Sequence, residues 1–421
     1  MPENPLRHAV ARMGGRDPHE QNRASTPLEL FFDLTFAIAF GVAAGLFAQS
    51  LAEGHVGTGL ISFAFAMFAV IWAWINFSWF ASAYDTDDWV FRLVTMVQMI
   101  GVLILAMGID RMFSSIQAGV HVDNSVMVAG YVVMRLALLF QWLRAAKQDP
   151  RRRATCLRYA KYLAVAQVGW ILVIVVNTSV GVMFLMAIPL FLLEMATPVI
   201  AERKTQTPWH AHHIAERYSL LAIISLGECL VGTIDALRAV VLTGGWKPDT
   251  AVVGLAGTGL AFAMWWLYFI FPAGQALHLR RNRAFIFGYA HMLIFASITA
   301  TGAGLRVYAL YLQGETHIGP AAVVASVAVP VVLFAVTLTV LYAAMVQLDP
   351  LHVWLGAGLT TTSALAVVLA AAGLSLTLCL LLVLAAPAAT IVVDERIGHR
   401  HRARALAELG KRAGQAGPEQ A

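Results

Sequence analysis

The chain has 421 residues, a formal net charge of +5 and a composition that is 59% hydrophobic but only 13% charged, with a mean hydropathy of +0.71. Soluble domains are about a quarter charged, so most of this surface cannot face water, and a soluble helical bundle would have nothing left to cover its outside. Apolar stretches long enough to cross about 30 Å of hydrocarbon recur throughout, so the expected fold is an all-α polytopic membrane protein of about twelve transmembrane helices.

The first 25 residues are polar and carry Arg7, Arg12, Arg16 and Arg23. They lack the apolar core of a signal peptide and read as a cytoplasmic tail before an uncleaved first span. That span, 28–50, opens on Thr26-Pro27-Leu28-Glu29-Leu30-Phe31-Phe32-Asp33-Leu34. Thr26 and Glu29 have capping-box spacing and Pro27 suits the first helical position, so Glu29 reads as a helix cap, with a functional role as the alternative. Asp33 lies about 10 Å along the axis from the helix start, beyond the reach of a cap. It is read either as a salt bridge to a neighbouring helix or as a functional carboxylate. Gly41 and Gly45 form a GxxxG pattern that marks close helix packing.

The remaining spans are read at 57–82, 90–110, 124–146, 157–178, 180–201, 213–242, 250–272, 284–304, 320–346, 352–372 and 375–393, with the tight connections at 178–179 and 372–375 the least distinct. Trp72, Trp74 and Trp79, with Trp265 and Trp266 of the eighth span, either line a pocket or anchor at the interface. Arg135, midway along the fourth span, must pair with Asp33, Glu194 or Glu228, or bind an anionic group of a substrate. Glu194 sits between Pro189 and Pro198 in a helix expected to kink. His210, His212 and His213 read as a solvated cluster, with metal-ligand spacing as the alternative because His212 and Glu216 would share a helix face. Glu216 reads as a second acidic helix start, followed by Arg217.

Glu228 lies about 18 Å beyond Glu216. It is either a proton carrier with its charge disfavoured by burial, or an ion-pair partner of Arg238 or Arg306. Its neighbour Gly227 would allow close backbone approach or a local break. His291, midway along the ninth span, reads as a hydrogen-bonded core histidine before a proton relay. Cys156, Cys229 and Cys379 lie far apart and form no CxxC or CxxH pattern, and neither a metal site nor a cofactor is expected.

With the N-terminus inside, 23 of the 29 basic residues fall on cytoplasmic segments. The exceptions are Arg92, Arg111, Arg135, Arg238, Lys247 and Arg306. This bias supports an even number of spans with both termini in the cytoplasm. Landmarks also recur at an offset of 187 to 200 residues: Glu29 with Glu216, Trp72 and Trp74 with Trp265 and Trp266, Asp149-Pro150 with Asp349-Pro350, and Glu202-Arg203 with Glu395-Arg396. The expected organisation is a tail at 1–25, parallel six-helix repeats at 26–203 and 204–397, and a basic cytoplasmic tail at 398–421. Transporters built from parallel repeats place their site between the halves.

Pro27-Leu28-Glu29-Leu30-Phe31-Phe32-Asp33-Leu34 and the stretch Glu216 to Glu228 resemble the two signature stretches of the bacterial low temperature requirement protein A family. The resemblance covers roughly residues 20–397. Where the family shows an aromatic-Gly-Leu-Phe run after Glu-Arg, this chain reads Tyr218-Ser219-Leu220-Leu221. The resemblance implies the architecture and a role in growth in the cold; it implies no particular reaction.

The expected function is proton-coupled secondary transport of a small polar solute at the bacterial plasma membrane. Asp33, Arg135, Glu194, Glu228 and His291 are the pathway candidates, and Glu29, Glu216 and Arg217 the motif and cap residues. The alternative is a non-transporting sensor or envelope factor whose basic segments bind anionic lipid. No enzyme motif appears, and nothing beyond the basic loops points to nucleic acid. The partners expected are the lipid bilayer and a small molecule or proton. The sequence carries no sign of an oligomeric state.

Overall fold

The computed structural model describes residues 9–18, 20, 23–245 and 248–415. Arg7 and Lys247, counted above among the basic residues, lie outside the described residues, as does the end of the C-terminal segment beyond residue 415. In chain order the helices are α1 (Pro27–Ala52), α2 (Val56–Tyr84), α3 (Trp89–Ala118), α4 (Ser125–Gln148), α5 (Arg153–Val176), α6 (Val180–Ala201) and α7 (Ala211–Gly244). There follow α8 (Pro248–Ile270), α9 (Ala273–Leu279), α10 (Ala284–Gln313), α11 (Pro320–Met345), α12 (Pro350–Ala371), α13 (Leu376–Val393) and α14 (His399–Gln415). A 3-10 turn, Arg281–Arg283, leads into α10, and a π-helical turn, Asp394–Gly398, joins α13 to α14. No β-strand forms among the described residues. Twelve helical spans among the described residues are long and apolar enough to cross a membrane, so the chain is an all-α multi-pass membrane protein.

Two helices run well past their expected ends. Polar residues such as Arg111, Ser114 and Gln117 make the end of α3 look like a loop, yet it continues to Ala118, and α10 continues to Gln313. Each stops at a glycine in the left-handed region, Gly119 at φ 75° and Gly314 at φ 77°. The Gly119 N–H returns to the Ser115 and Ile116 carbonyls and the Gly314 N–H to that of Tyr311, which satisfies carbonyls that a helix end leaves open.

Both terminal segments are more structured than their polarity suggests. Met13 is fully buried and its N–H donates to Gln148 Oε1 at 2.6 Å, while the Ala11 N–H donates to Asp88 Oδ2 at 3.0 Å. Arg23, read as a tail charge, is 7% exposed and donates to the Ala81 carbonyl at 2.9 Å and to that of Ser82, capping α2. The region 398–421, read as a tail, forms α14 over its described part. Ala405 and Leu409, four apart, are buried, whereas Arg400, Arg404, Lys411 and Arg412 are exposed. The arginines masked this narrow apolar stripe in the sequence.

The chain divides into two compact units, the described residues of Met1–Val42 with Phe68–Arg217, and Ala43–Met67 with the described residues of Tyr218–Ala421. In the first, α3 packs on α4, α4 on α5 and α5 on α6; in the second, α10 packs on α11, α11 on α12 and α12 on α13. Glycines set the closest crossings. A Cβ on Gly108 would overlap the Met127 backbone, one on Gly130 would overlap Leu105, and one on Gly304 would overlap the Ser326 carbonyl. Gly227, by contrast, faces open space and α7 runs unbroken through it. The close approach expected there belongs to Gly302 of α10, which lies against the backbone of Glu228.

Gly108→Val should destabilise the protein by about 1–3 kcal/mol or more, because the obstacle is backbone. Gly181→Ala, at a helical glycine with nothing within 4 Å, should be neutral or stabilising by up to about 1 kcal/mol. Unfolding temperatures in detergent separate the two.

Candidate functional site

The start of α1 is built as its sequence suggests. The Thr26 N–H donates to Glu29 Oε2 at 2.9 Å and the Glu29 N–H donates to Thr26 Oγ1 at 3.2 Å, a closed capping box. Glu29 does more than cap. It is fully buried, with its carboxylate 2.9 Å from Arg217 and 3.2 Å from His213 Nε2. One turn further along, Asp33 accepts a hydrogen bond from Trp74 Nε1 at 2.6 Å and another from Arg217 at 2.5 Å. The same guanidinium nitrogen also lies 3.3 Å from Ser78 Oγ.

A single guanidinium therefore bridges the two carboxylates of the first motif, with the rings of Trp74 and Phe77 about it. Asp33 Oδ2 and Arg217 Nε have no hydrogen-bond partner among the described residues, so the charges are balanced more fully than the donors and acceptors.

This arrangement corrects three expectations. Glu216 does not begin a helix: α7 starts at Ala211, so Glu216 is in its second turn, half-buried, accepting from the Ser25 N–H at 3.2 Å. The cap is His210, whose Nδ1 accepts from the His213 N–H at 3.1 Å while Nε2 meets the Glu20 carbonyl at 2.9 Å. Arg217 is a fully buried partner of both motif carboxylates, not a basic residue of a solvated segment. Of the three histidines read as solvated only His212 is exposed, because His210 caps the helix and His213 faces Glu29.

A second buried ion pair lies in the same unit. Arg135 of α4 pairs with Glu194 of α6, one of the three partners open to it from sequence. Tyr131 bridges them, accepting from Arg135 at 2.7 Å and donating to Glu194 at 3.0 Å. Trp72 Nε1 donates to the other Glu194 oxygen at 2.8 Å. Glu202, just past α6, accepts from Trp79 Nε1 at 3.1 Å, Tyr159 at 2.9 Å and the Thr207 N–H at 2.9 Å. Trp72 and Trp79 are about two helical turns apart and so are Glu194 and Glu202, hence α2 offers two indole donors to one carboxylate on α6 and one just past its end. Trp74, off that face, serves α1. These indoles are buried donors rather than interfacial anchors.

In the second unit, Glu228 of α7 pairs with Arg306 of α10 at 2.9 Å, and Arg306 Nε lies 3.5 Å from Asp235. Glu228 and Asp235 are seven apart on one face of α7. A Cβ on Gly45 would sit 3.2 Å from the Arg306 guanidinium, so this glycine of the GxxxG pattern makes room for a charge. Arg306 and Asp235 line a cavity of about 620 Å³ at the C-terminal ends of α1, α7 and α10, with Glu53, Arg238 and Glu315 also on its wall. His291 is fully buried, with Nδ1 2.7 Å from the Phe287 carbonyl and Nε2 2.9 Å from the Tyr268 hydroxyl, the pattern of a core histidine. Trp266 Nε1 donates to Glu395 at 3.0 Å. No group of three or more metal-ligating side chains occurs among the described residues.

Each of Asp33, Arg135 and Glu228 thus has its own partner, and Arg306, the partner of Glu228, lines the cavity. Between α2 and α3, Asp85 is 4% exposed and accepts from the Asp87 N–H at 2.8 Å. Burial first, and then the charge of Glu29, push its carboxyl up to about 7, against the pull of Arg16 and the Asp87 hydrogen bond. Burial also acts on Asp88, but hydrogen bonds from Arg144 and from the Phe91 and Ala11 N–H groups outweigh it and hold Asp88 low.

The family model for bacterial low temperature requirement A protein (LtrA) matches residues 24–387. The chain is 24% identical over 301 residues to "Uncharacterized protein RA0937" of Rhizobium meliloti (strain 1021), an alignment that covers 68% of this chain and 69% of the relative.

Arg217→Gln should cost about 3–5 kcal/mol, since it leaves two buried carboxylates facing no cation. Combining it with Glu29→Gln and Asp33→Asn should restore much of that loss, read as unfolding temperature in detergent. Asp85 supplies a pH dependence. Its folded pKa lies above the unfolded 3.8, so its favourable contribution is complete below pH 3.8 and is lost as pH rises through about 7. Asp85→Asn should therefore match wild type in stability near pH 4 and exceed it at pH 8.

Proposed function

We propose a function for a chain that belongs to the bacterial low temperature requirement A family: proton-coupled secondary transport of a small polar solute across the bacterial plasma membrane. The observation that carries this reading is that Arg306, the ion-pair partner of Glu228, lines a charged cavity of about 620 Å³. A carboxylate among apolar helices is held ionised by its cation, and a proton on it frees the cation for another anion. Protonation of Glu228 would release Arg306 toward the cavity, and return of Arg306 would expel the proton. Asp235 shares Arg306, at 3.5 Å from its Nε.

A six-plus-six duplication is part of the same reading. Both units stack their helices in the same succession, α3 and α10 end on left-handed glycines 195 residues apart, and Trp79–Glu202 has a counterpart in Trp266–Glu395. With both termini in the cytoplasm, as the basic residues favour, the cavity would open on the outer side.

One observation favours a non-transporting envelope factor instead. Asp33 and Arg135 each have a dedicated partner, as purely structural charges would. The two readings part at Glu228. In proteoliposomes under a solute gradient, Glu228→Gln should abolish proton movement while the variant remains folded. Equal proton flux in wild type and variant would remove Glu228 from the pathway, and no flux in wild type under any gradient applied would overturn transport and leave the structural reading.

A further inference from the structure

The walls of the α1–α7–α10 cavity carry both signs of charge. Arg306 and Arg238 supply two guanidinium groups, and Glu53, Asp235 and Glu315 supply three carboxylates. Arg306 is already engaged by Glu228 and Asp235. Arg238 is exposed and has no ion-pair partner among the described residues. Glu53 is fixed on the α1 side by the Gln49 amide at 3.0 Å and by His55 at 3.4 Å. The positive charges therefore stand on α7 and α10, while one carboxylate lies at the end of α1.

Such a wall discriminates by charge pattern. A solute that is only anionic would gain one unshared guanidinium but meet three carboxylates, and a solute that is only cationic would meet two guanidiniums. Like charges brought together across an interface repel and suppress the wrong ligand. A solute with an oxyanion at one end and an ammonium at the other satisfies both faces, the oxyanion on Arg238 and Arg306, where guanidinium geometry allows bidentate contact, and the ammonium on Glu53. A volume of about 620 Å³ lies within the range of small-molecule sites. It accommodates a solute of amino-acid size together with water.

We propose that this cavity binds zwitterions, molecules with an oxyanion and an ammonium group a few ångströms apart. The inference rests on the transport reading only in concerning the same cavity. The same chemistry is present in a free amino acid or betaine and in a zwitterionic phospholipid headgroup.

The test is equilibrium binding to the purified full-length protein in detergent, with no gradient present. The soluble zwitterions glycine, 4-aminobutanoate, glycine betaine and phosphoethanolamine are compared at millimolar concentration with acetate and butanoate, and with methylammonium and butylammonium. Short-chain phosphatidylethanolamine forms a further arm. The expected result is a saturable rise in unfolding temperature with at least one zwitterion and none with the singly charged ions. A soluble zwitterion identifies a free solute, and a rise confined to phosphatidylethanolamine identifies a headgroup. Arg238→Gln and Glu53→Gln, both at exposed or half-buried positions, should each weaken binding about tenfold or more, the scale of one lost charge-assisted contact, while the ligand-free unfolding temperature stays unchanged. An equal rise with acetate or butanoate, an equal rise with an alkylammonium, or no rise with any zwitterion would overturn the proposal. Zwitterion binding without proton flux would overturn transport alone, and proton flux without zwitterion binding would overturn this inference alone.

Discussion

A guanidinium among apolar helices keeps its charge and must be neutralised where it stands. Arg217 meets that requirement by taking both acidic residues of the first motif, Glu29 at 2.9 Å and Asp33 at 2.5 Å. The placement of the surrounding polar groups follows. Trp74 reaches across from α2 to satisfy the Asp33 oxygen that Arg217 shares, and His213, one turn before Arg217 on α7, comes to face Glu29. His210 then becomes the cap, which fixes where α7 begins. The helix start, the buried histidine and the indole are consequences of a single ion-pair geometry.

How much of this was legible depends on distance along the chain. The Glu29 cap is a local device, three residues from its partner, and its residue types identify it. The Asp33–Arg217 bond spans 184 residues, and nothing in the residue pattern couples those positions. The charge of Arg217 counted equally well as a topology signal. Two signals were present and open to use. Trp72 and Trp79 on α2 are seven residues apart and Glu194 and Glu202 on and just past α6 are eight apart, each about two turns, which matches donors to acceptors between two elements. Gly119 and Gly314 mark where α3 and α10 end, past the polar residues that seemed to end them sooner. In α14, Ala405 and Leu409 are too few among arginines to carry a periodic signal.

The two units use charge differently. In the first, Asp33, Glu194 and Glu202 each collect two or more donors, including an indole, and these hydrogen bonds bind helix to helix. In the second, Arg306 divides itself between two carboxylates and faces open space. A charge held by several fixed donors resists change, whereas a shared cation beside a cavity has somewhere else to go. That contrast is why chemistry is sought at Glu228 rather than at the motif that identifies the family.

The glycine crossings restrict how any such chemistry can propagate. Where Gly108 meets Met127 and Gly304 meets Ser326, backbone lies against backbone with no side chain between to change rotamer. Helices in that contact have no soft layer along which to slide past one another. α3 with α4, and α10 with α11, must therefore each travel as one rigid body, so any hinge within a unit lies outside these pairs.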